Sequence, residues 1–277
     1  MAIDLSQPGV DDLPAAVTAL AAWQVEGGPV QLHPGDLGWG WQIGATDVAQ
    51  RVRTWSRSGQ LRAIGLLDGP GVVRLGIAPD AGDDEQLADR VVADISDPQR
   101  GVLATSKGAV EARFGTAIRA RLFDQGWVAD DPWATLHRPL TEPVEDPGVR
   151  VEVIGADRAA DCTSVHRSAF GSERFTDERW HAMASGPAFT EARCLVVYDT
   201  HGAPVATATV WSAGAGRPGL LEPVGVHADH RGRRYGVAIS LAAAAALRQM
   251  GASSATVATE ASRVAAVRTY LAAGYKV

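Results

Sequence analysis

The sequence predicts two tandem α/β domains, each built around a mixed sheet. The 277 residues are enough for about two domains of ordinary size. In both halves, apolar runs of strand length alternate with longer segments of helical periodicity. The halves also share two short similarities: Leu75–Asp80 with Val224–Asp229, and Leu122–Trp127 with Tyr270–Tyr275. The offsets are 149 and 148 residues, which indicates a duplicated domain.

The segment between the halves has the composition of a linker. Residues 141–149 contain two prolines, one glycine and three acidic residues, a combination typical of an irregular connection. We therefore predict a first domain over residues 1–142, a linker over 143–149 and a second domain over 150–277.

Periodicity predicts the following elements of the second half. The strands are Val149–Ile154, Arg193–Tyr198, Val205–Trp211, Leu220–Val226 and Ser254–Ala258. The helices are Asp157–Ala169, Asp177–Ser185, Tyr235–Met250 and Ser262–Ala273. Strands and helices thus alternate around one sheet.

The first half is predicted to follow the same order of strand, strand, helix, strand and helix. Its helices are Leu13–Trp23, Asp47–Trp55, Asp83–Ile95 and Ala109–Phe123. Its strands are Leu61–Leu67, Val72–Ile77 and Val102–Thr105, with a closing strand over Trp133–Leu140. The second half ends two residues after Tyr275, so it has no room for that closing strand. We expect either a truncated or disordered end, or a sheet edge filled in another way.

Composition excludes several classes of protein. Hydrophobic residues make up 46% and charged residues 21%, as in ordinary globular proteins. A net charge of −6 argues against general binding to nucleic acid or anionic membranes. No apolar stretch approaches the roughly 18 residues of a membrane span, and residues 1–13 do not resemble a signal peptide.

The cysteines and histidines give no sign of a disulfide or metal framework. Cys162 and Cys194 are too few for a disulfide scaffold, so we expect buried thiols in a reduced cytoplasmic compartment. His166, His181 and His201 are not at metal-ligand spacing with the cysteines. The run Trp39-Gly-Trp41 is unusual, and we interpret it as core packing or a domain interface.

Charge is distributed unevenly between the halves. Residues 1–145 contain 12 basic and 20 acidic residues, whereas residues 146–277 contain 14 and 12. Either the first half merely has an acidic surface, or only the second half handles an anionic ligand.

The segment Val224–Ala238 carries the clearest chemistry. It runs from a predicted strand through a loop into a predicted helix, where unpaired N–H groups and the helix dipole attract anions. Gly232 and Gly236 allow the backbone to approach a ligand closely. Three arginines add charge that pairs with phosphate oxygens: Arg231, Arg233 and Arg234. The segment therefore predicts a pyrophosphate site.

This segment resembles motif A of the GNAT superfamily of N-acetyltransferases, R/Q-x-x-G-x-G/A, which holds the pyrophosphate of acetyl-CoA. The alignment that we prefer, because it keeps the usual spacing after the strand, begins at Arg231 and puts Arg234 at the first glycine position and Gly236 at the second. The other, Arg233-x-x-Gly236-x-Ala238, fits the pattern as written. The resemblance implies acetyl-CoA as cosubstrate and these contact residues: Val224, Gly225, Val226, Arg231, Gly232, Arg233, Arg234, Tyr235, Gly236, Val237 and Ala238.

A second motif follows in the expected order. Residues 262–275 are similar to the family's motif B, N-x-x-A-x-x-x-Y-x-x-x-G-F, through Ala266, Tyr270, Gly274 and Tyr275. Arg263 stands where Asn is common in the family. The tandem layout with a degenerate first copy resembles actinobacterial double-domain members of the family, of which mycothiol synthase is one.

The resemblance implies direct attack of an amine on the thioester, without a covalent enzyme intermediate. Tyr270 falls at the motif B tyrosine and is the candidate general acid. Glu222, on the strand before the loop, is the candidate general base and shares the strand parity of Val224 and Val226. His227 is the alternative base. Glu260 and Glu173 are further candidates to line the amine site.

The first copy has changed at the corresponding loop. Gly82-Asp83-Asp84-Glu85 faces Arg231–Arg234 across the repeat, and Leu87 replaces Gly236. Three carboxylates would repel two phosphates in a partly desolvated site. We therefore expect the first domain to keep the fold without ordinary CoA binding.

Together these features predict an N-acetyltransferase that transfers acetyl from acetyl-CoA to a primary amine of a small molecule. Candidates for the acceptor are an amino sugar or aminoglycoside, an amino acid and a polyamine. No metal, nucleic acid or membrane is expected as a partner, and a homodimer is the candidate assembly. The alternatives are a non-catalytic CoA-binding or sensor protein, and a mycothiol-synthase-like or protein-directed acyltransferase.

Overall fold

The computed structural model describes residues 2–69, 71–105, 108–130 and 133–277. The chain forms two compact units. The first comprises Met1–Leu37 and Ala45–Asp131, and the second comprises Gly38–Gly44 and Pro132–Val277. Within the described ranges, no helix is long and apolar enough to cross a membrane.

The first half of the chain supplies a five-stranded sheet in the order β1-β2-β3-β4-β5. Neighbouring strands are antiparallel except β4 and β5, which are parallel. The elements are β1 (Ile3–Ser6), α1 (Leu13–Ala22), α2 (Pro34–Gly40), α3 (Ala45–Arg51), β2 (Val52–Arg57), β3 (Gln60–Leu67), β4 (Val72–Ile77), α4 (Glu85–Ser96), β5 (Ala109–Glu111) and α5 (Thr116–Asp124).

The second unit has a six-stranded sheet in the order β6-β11-β10-β9-β8-β7. Only β10 and β11 are parallel neighbours. The elements are β6 (Trp133–Pro139), β7 (Arg150–Ile154), α6 (Ala159–Phe170), α7 (Asp177–Ala184), β8 (Ala192–Tyr198), β9 (Pro204–Trp211), β10 (Gly219–Val226), α8 (Tyr235–Gln249), β11 (Ser254–Glu260) and α9 (Val264–Ala272).

The duplication is confirmed by matching topology in the two sheets. In each, three antiparallel pairings lead to one parallel pairing, and the strand before the loop ends in a short 3-10 turn. The second sequence similarity, Leu122–Trp127 with Tyr270–Tyr275, also corresponds to a shared structure. The Trp127 N–H donates to the Leu122 carbonyl at 3.1 Å, and the Tyr275 N–H donates to the Tyr270 carbonyl at 3.1 Å.

The closing strand predicted for the first half belongs to the second sheet, so that prediction is wrong. β6 pairs with β11 from Trp133 opposite Glu260 to Pro139 opposite Ser254. Its Leu136 is buried in the core of the second unit. The open edge of the second sheet is therefore filled by chain that precedes the predicted linker. The compact units divide at residues 131 and 132, whereas we predicted a first domain that runs to residue 142.

Three further element predictions in the first half are wrong. The helix predicted over Asp47–Trp55 is α3 followed by β2, because the residues from Val52 onward pair with β3. The helix predicted over Ala109–Phe123 is β5 and α5, separated at Gly115, whose φ of 93° is left-handed. Residues 102–105 form no strand, and β1 lies in a segment for which no strand was predicted.

The core of the second unit lies between the sheet and α8. This helix is rich in alanine, which lets it lie close to strands β8 to β11. Leu195, Val210, Ile239 and Leu247 are among the side chains buried in this layer. The packed layer holds β10 and the start of α8 in place, and these two elements carry the candidate site.

Candidate active site

The strands β10 and β11 diverge after a short parallel contact. They pair only at Gly219 with Ala255 and at Leu220 with Thr256, although both strands continue. Beyond that point Val224–Val226 pairs with β9 along one edge of β10. Among the described residues, the other edge has no ladder partner. A strand edge that faces such a gap can bind an extended ligand through its backbone groups.

A bulge in β10 sets the position of Glu222. The register against β9 shifts between Leu221 and Val224, and the Glu222–Pro223 peptide bond is cis. The register shift interrupts strict alternation at this point. Counting residues along the strand therefore does not establish that Glu222 shares a face with Val224 and Val226, and its role as the base stays a prediction. The two valines pack against the core under α8.

Tyr270 and Glu222 act on each other electrostatically. Tyr270 lies on α9 and is only 8% exposed. Burial, and secondarily the negative charge of Glu222, raise the pKa of Tyr270 to about 12. The phenol is therefore protonated at neutral pH and available as a donor. The charge of Glu222 thus acts on the Tyr270 hydroxyl, and the catalytic roles of the two residues remain predictions.

The N-terminus of α8 is open to a ligand. Arg234 precedes the helix in a left-handed conformation with φ 65°, and its side chain does not cap the first turn. The first N–H groups of a helix have no intrahelical acceptor. Gly232 is also left-handed, with φ 76°, and the residues Arg231–Arg234 are exposed. This concentration of N–H donors and positive charge fits an anion such as a pyrophosphate.

The loop before α8 is tied to the C-terminal end of α6. The Arg231 guanidinium donates to the Ala169 carbonyl at 2.8 Å, and the Ala228 N–H donates to the Ser168 hydroxyl at 3.0 Å. Arg231 thus supports the loop besides adding charge to it. The sequence analysis did not predict the roles of Ser168 and Ala169. No local sequence pattern indicates that a group on α6 accepts a hydrogen bond from a loop about 60 residues later.

Two glycines of the predicted site are needed for packing. A Cβ at Gly236 would lie 2.9 Å from Thr269 Cγ2, so the glycine lets α8 approach α9. A Cβ at Gly225 would lie 2.8 Å from the Ala169 Cβ, so the glycine lets β10 approach α6. The close approach of Gly236 to phosphate remains a prediction.

The other candidate site residues have local partners. The His227 Nδ1 accepts from the Asp229 N–H at 3.3 Å and so helps to form the turn before the loop. Glu260 forms an ion pair with Arg263 at 3.1 Å, and the exposed Glu173 forms one with Arg167 at 3.4 Å. Arg263, which departs from motif B, is thus used to pair a carboxylate at the end of β11. Within the described residues, no group of three His, Cys, Asp or Glu side chains is arranged to hold a metal ion.

The equivalent helix of the first unit carries its own anion. Asp84 caps α4, because its Oδ1 accepts from the Leu87 N–H at 3.0 Å. The same carboxylate receives two hydrogen bonds from Arg57, at 2.6 and 3.0 Å. The Arg57 hydrogen bond is the main reason that the pKa of Asp84 lies below its usual value. A carboxylate thus occupies the position at which the second unit offers an open helix end.

Residues 159–275 match the family model described as the acetyltransferase (GNAT) family. The resemblance that we drew from motifs A and B is therefore confirmed over this segment. No curated protein matches the sequence.

Solved structures match the fold over nearly the whole chain. A GCN5-related N-acetyltransferase from Sphaerobacter thermophilus is 21% identical, with a TM-score of 0.54 and coverage of 99% of this chain and 92% of that one. A tandem GNAT protein from the clavulanic acid biosynthesis pathway is 17% identical, with a TM-score of 0.60 and coverage of 99% and 95%. A GNAT-family acetyltransferase from Colwellia psychrerythraea is 13% identical, with a TM-score of 0.60 and coverage of 100% and 96%. At these identities the likeness shows the fold alone, which is mixed α/β with two tandem sheets, as in these GNAT structures.

Proposed function

We propose that the second unit binds acetyl-CoA and transfers its acetyl group to the primary amine of a small molecule. The observation that carries this proposal is the arginine-flanked start of α8, which follows the strand that borders the gap between β10 and β11. Glu222 lies on that strand, and its charge acts on Tyr270. The match of residues 159–275 to an acetyltransferase family supports the same chemistry.

In the proposed complex, the pyrophosphate of acetyl-CoA binds the first turn of α8 and the side chains of Arg233 and Arg234. The pantetheine arm lies in the gap beside Val224–Val226, where backbone N–H groups polarise the thioester carbonyl. The amine nitrogen then forms the new bond to the acetyl carbon as the carbon–sulfur bond breaks.

The proposed proton transfers use Glu222 and Tyr270. Glu222 accepts a proton from the attacking amine, and Tyr270 donates one to the departing thiolate. Protonation of Glu222 removes the negative charge that helps to raise the pKa of Tyr270. Burial, which is the larger cause, still keeps the pKa of Tyr270 above its ordinary value.

The first test is an acetyl-transfer assay that follows release of free thiol from acetyl-CoA. The acceptors are an amino sugar, an aminoglycoside, an amino acid, a polyamine and a lysine peptide. We expect turnover with at least one small amine, and a loss of about 100-fold in kcat for Glu222→Gln. Glu191→Gln, an exposed carboxylate in the same unit, serves as the matched control.

Two results would overturn this proposal. Turnover on the peptide alone would move the function to protein modification. Binding of acetyl-CoA without turnover on any acceptor would favour the non-catalytic sensor.

A further inference from the structure

The bulge that contains Glu222 is held by a buried tryptophan. Trp211, the last residue of β9, is 1% exposed. Its indole N–H donates to the Glu222 backbone carbonyl at 2.7 Å. The ladder between β9 and β10 is interrupted between Leu221 and Val224. This side-chain hydrogen bond therefore connects the two strands where the regular backbone ladder does not.

The Trp211 indole is itself held by close packing. A Cβ at Gly38 would lie 2.9 Å from both Cε3 and Cη2 of the indole, and closer still to Cζ3. The Phe189 ring packs edge-on, with its centroid 6.2 Å from that of Trp211. Only a glycine at position 38 leaves room for the indole in this place.

Gly38 begins the short segment that groups with the second unit, Gly38–Gly44. This segment contains the tryptophan run that we interpreted as core packing or an interface. Trp41 is buried as well, and a Cβ at Gly186 would lie 2.6 Å from its Cγ. The segment therefore packs tightly on the rest of the second unit at two places, Gly38 against Trp211 and Trp41 against Gly186.

We propose that Trp211 is a positioning residue for Glu222, and that Gly38 keeps Trp211 in the position from which it acts. The hydrogen bond fixes the bulge, and the bulge fixes where the Glu222 carboxylate lies relative to Tyr270. This inference rests on the proposed function, because it assigns no chemistry to Trp211 itself. It also gives the segment 38–44 a role in the active site of the second unit.

The test separates the chemical step from cofactor binding. Trp211→Phe keeps a buried ring but removes the N–H donor, and we expect kcat to fall about tenfold while the Kd of acetyl-CoA stays within about twofold. Trp180→Phe is the matched control, since Trp180 is a buried indole that packs on the same Phe189 ring at 5.6 Å. The control is expected to keep its kcat.

Gly38→Ala provides a second route to the same effect. Its methyl group would displace the indole, so we expect a loss of kcat similar to that of Trp211→Phe. A Phe side chain lacks the indole atoms that contact this methyl group. In the Trp211→Phe background, Gly38→Ala should therefore cost nothing further. Thermal unfolding of each variant verifies that it is folded.

Unchanged kcat in Trp211→Phe, a parallel loss of acetyl-CoA affinity, or additive effects of the two substitutions would overturn the inference. Glu222→Gln distinguishes this outcome from failure of the proposed function. If Glu222→Gln is inactive and Trp211→Phe is fully active, only the positioning role is lost. If Glu222→Gln keeps full activity, the proposed function itself fails.

Discussion

The segments that lead into α4 and α8 begin with similar backbone conformations. The groups at the two helix starts then differ in charge: a carboxylate at α4 and arginines at α8. Each follows a strand, an extended residue and a 3-10 turn: Ala78 has φ −55° and ψ 135°, and His227 has φ −49° and ψ 135°. The next few residues differ. α4 is capped by the carboxylate of Asp84, whereas α8 begins after the left-handed Arg234 with an open first turn. In the first copy a side chain thus supplies a negative charge at the helix start, where we propose that the second copy binds the anion of a ligand.

The reactive positions differ in the same way. At the offset of 148 residues, Leu122 corresponds to Tyr270, and Leu122 is buried in the first unit. The ladder between β3 and β4 has no register shift, so Val73 matches Leu221 and the bulge that contains Glu222 is absent from the first sheet. The first copy therefore has a core side chain in place of the proposed acid and lacks the bulge that carries the proposed base, which agrees with a structural role for that copy.

The largest effect is expected from Tyr270→Phe. Removal of the hydroxyl should lower kcat about 100-fold with little change in the Kd of acetyl-CoA, because the donor to the leaving thiolate is lost. Tyr275→Phe is the matched control: its buried hydroxyl donates to the Ser240 carbonyl at 3.3 Å and should matter for stability instead. Equal losses of kcat in the two variants, measured in the thiol-release assay, would contradict the assignment.

A smaller effect is expected at the first helix start. Asp84→Ala removes the cap and should destabilise α4 by about 1 kcal/mol, measured by hydrogen exchange of its amides at pH 7. Because the folded-state pKa of Asp84 is lowered, its contribution is present above the ordinary carboxyl pKa. It is lost as the pH falls through the folded value, so the difference between the wild type and the variant should narrow at acidic pH. A difference that widens there would be inconsistent with the cap.

The smallest effect is expected from Arg234→Gly. Arg234 has φ 65°, a conformation that costs a non-glycine residue energy, so glycine should raise the free energy of unfolding by about 0.5 to 1 kcal/mol. The variant also carries the glycine of the family motif at this position. Urea unfolding measures the change, and Arg233→Gly at a neighbouring exposed position is the control. Destabilisation by Arg234→Gly would mean that the arginine side chain makes a contact worth more than the strain.

Much of the second unit could be predicted because its signals are local. The alternation in Val205–Trp211 and the glycine after α8 mark their elements without reference to the rest of the chain. The placement of β6 could not be predicted this way. Its alternation is the same whichever sheet it joins, and the choice depends on pairing with β11, more than 100 residues away.

The candidate site shows the same division. Tyr270 and the arginine loop could be proposed because sequence motifs identify them, and their roles stay predictions. The bulge at Glu222, the Trp211 hydrogen bond and the support from Ser168 were not found, since each joins residues of different elements. The sequence identified Asp84 as an acidic residue in place of an arginine. It did not predict the ion pair with Arg57, because Arg57 lies on a different element of the first unit.

The most direct test of the difference between the two helix starts is calorimetric titration of acetyl-CoA into the purified protein. We predict one binding site for each chain, abolished by Arg231→Ala with Arg233→Ala and unaffected by Asp83→Ala with Asp84→Ala. Two sites in the wild type, or loss of binding in the aspartate variant, would contradict an anion site that is kept only at α8.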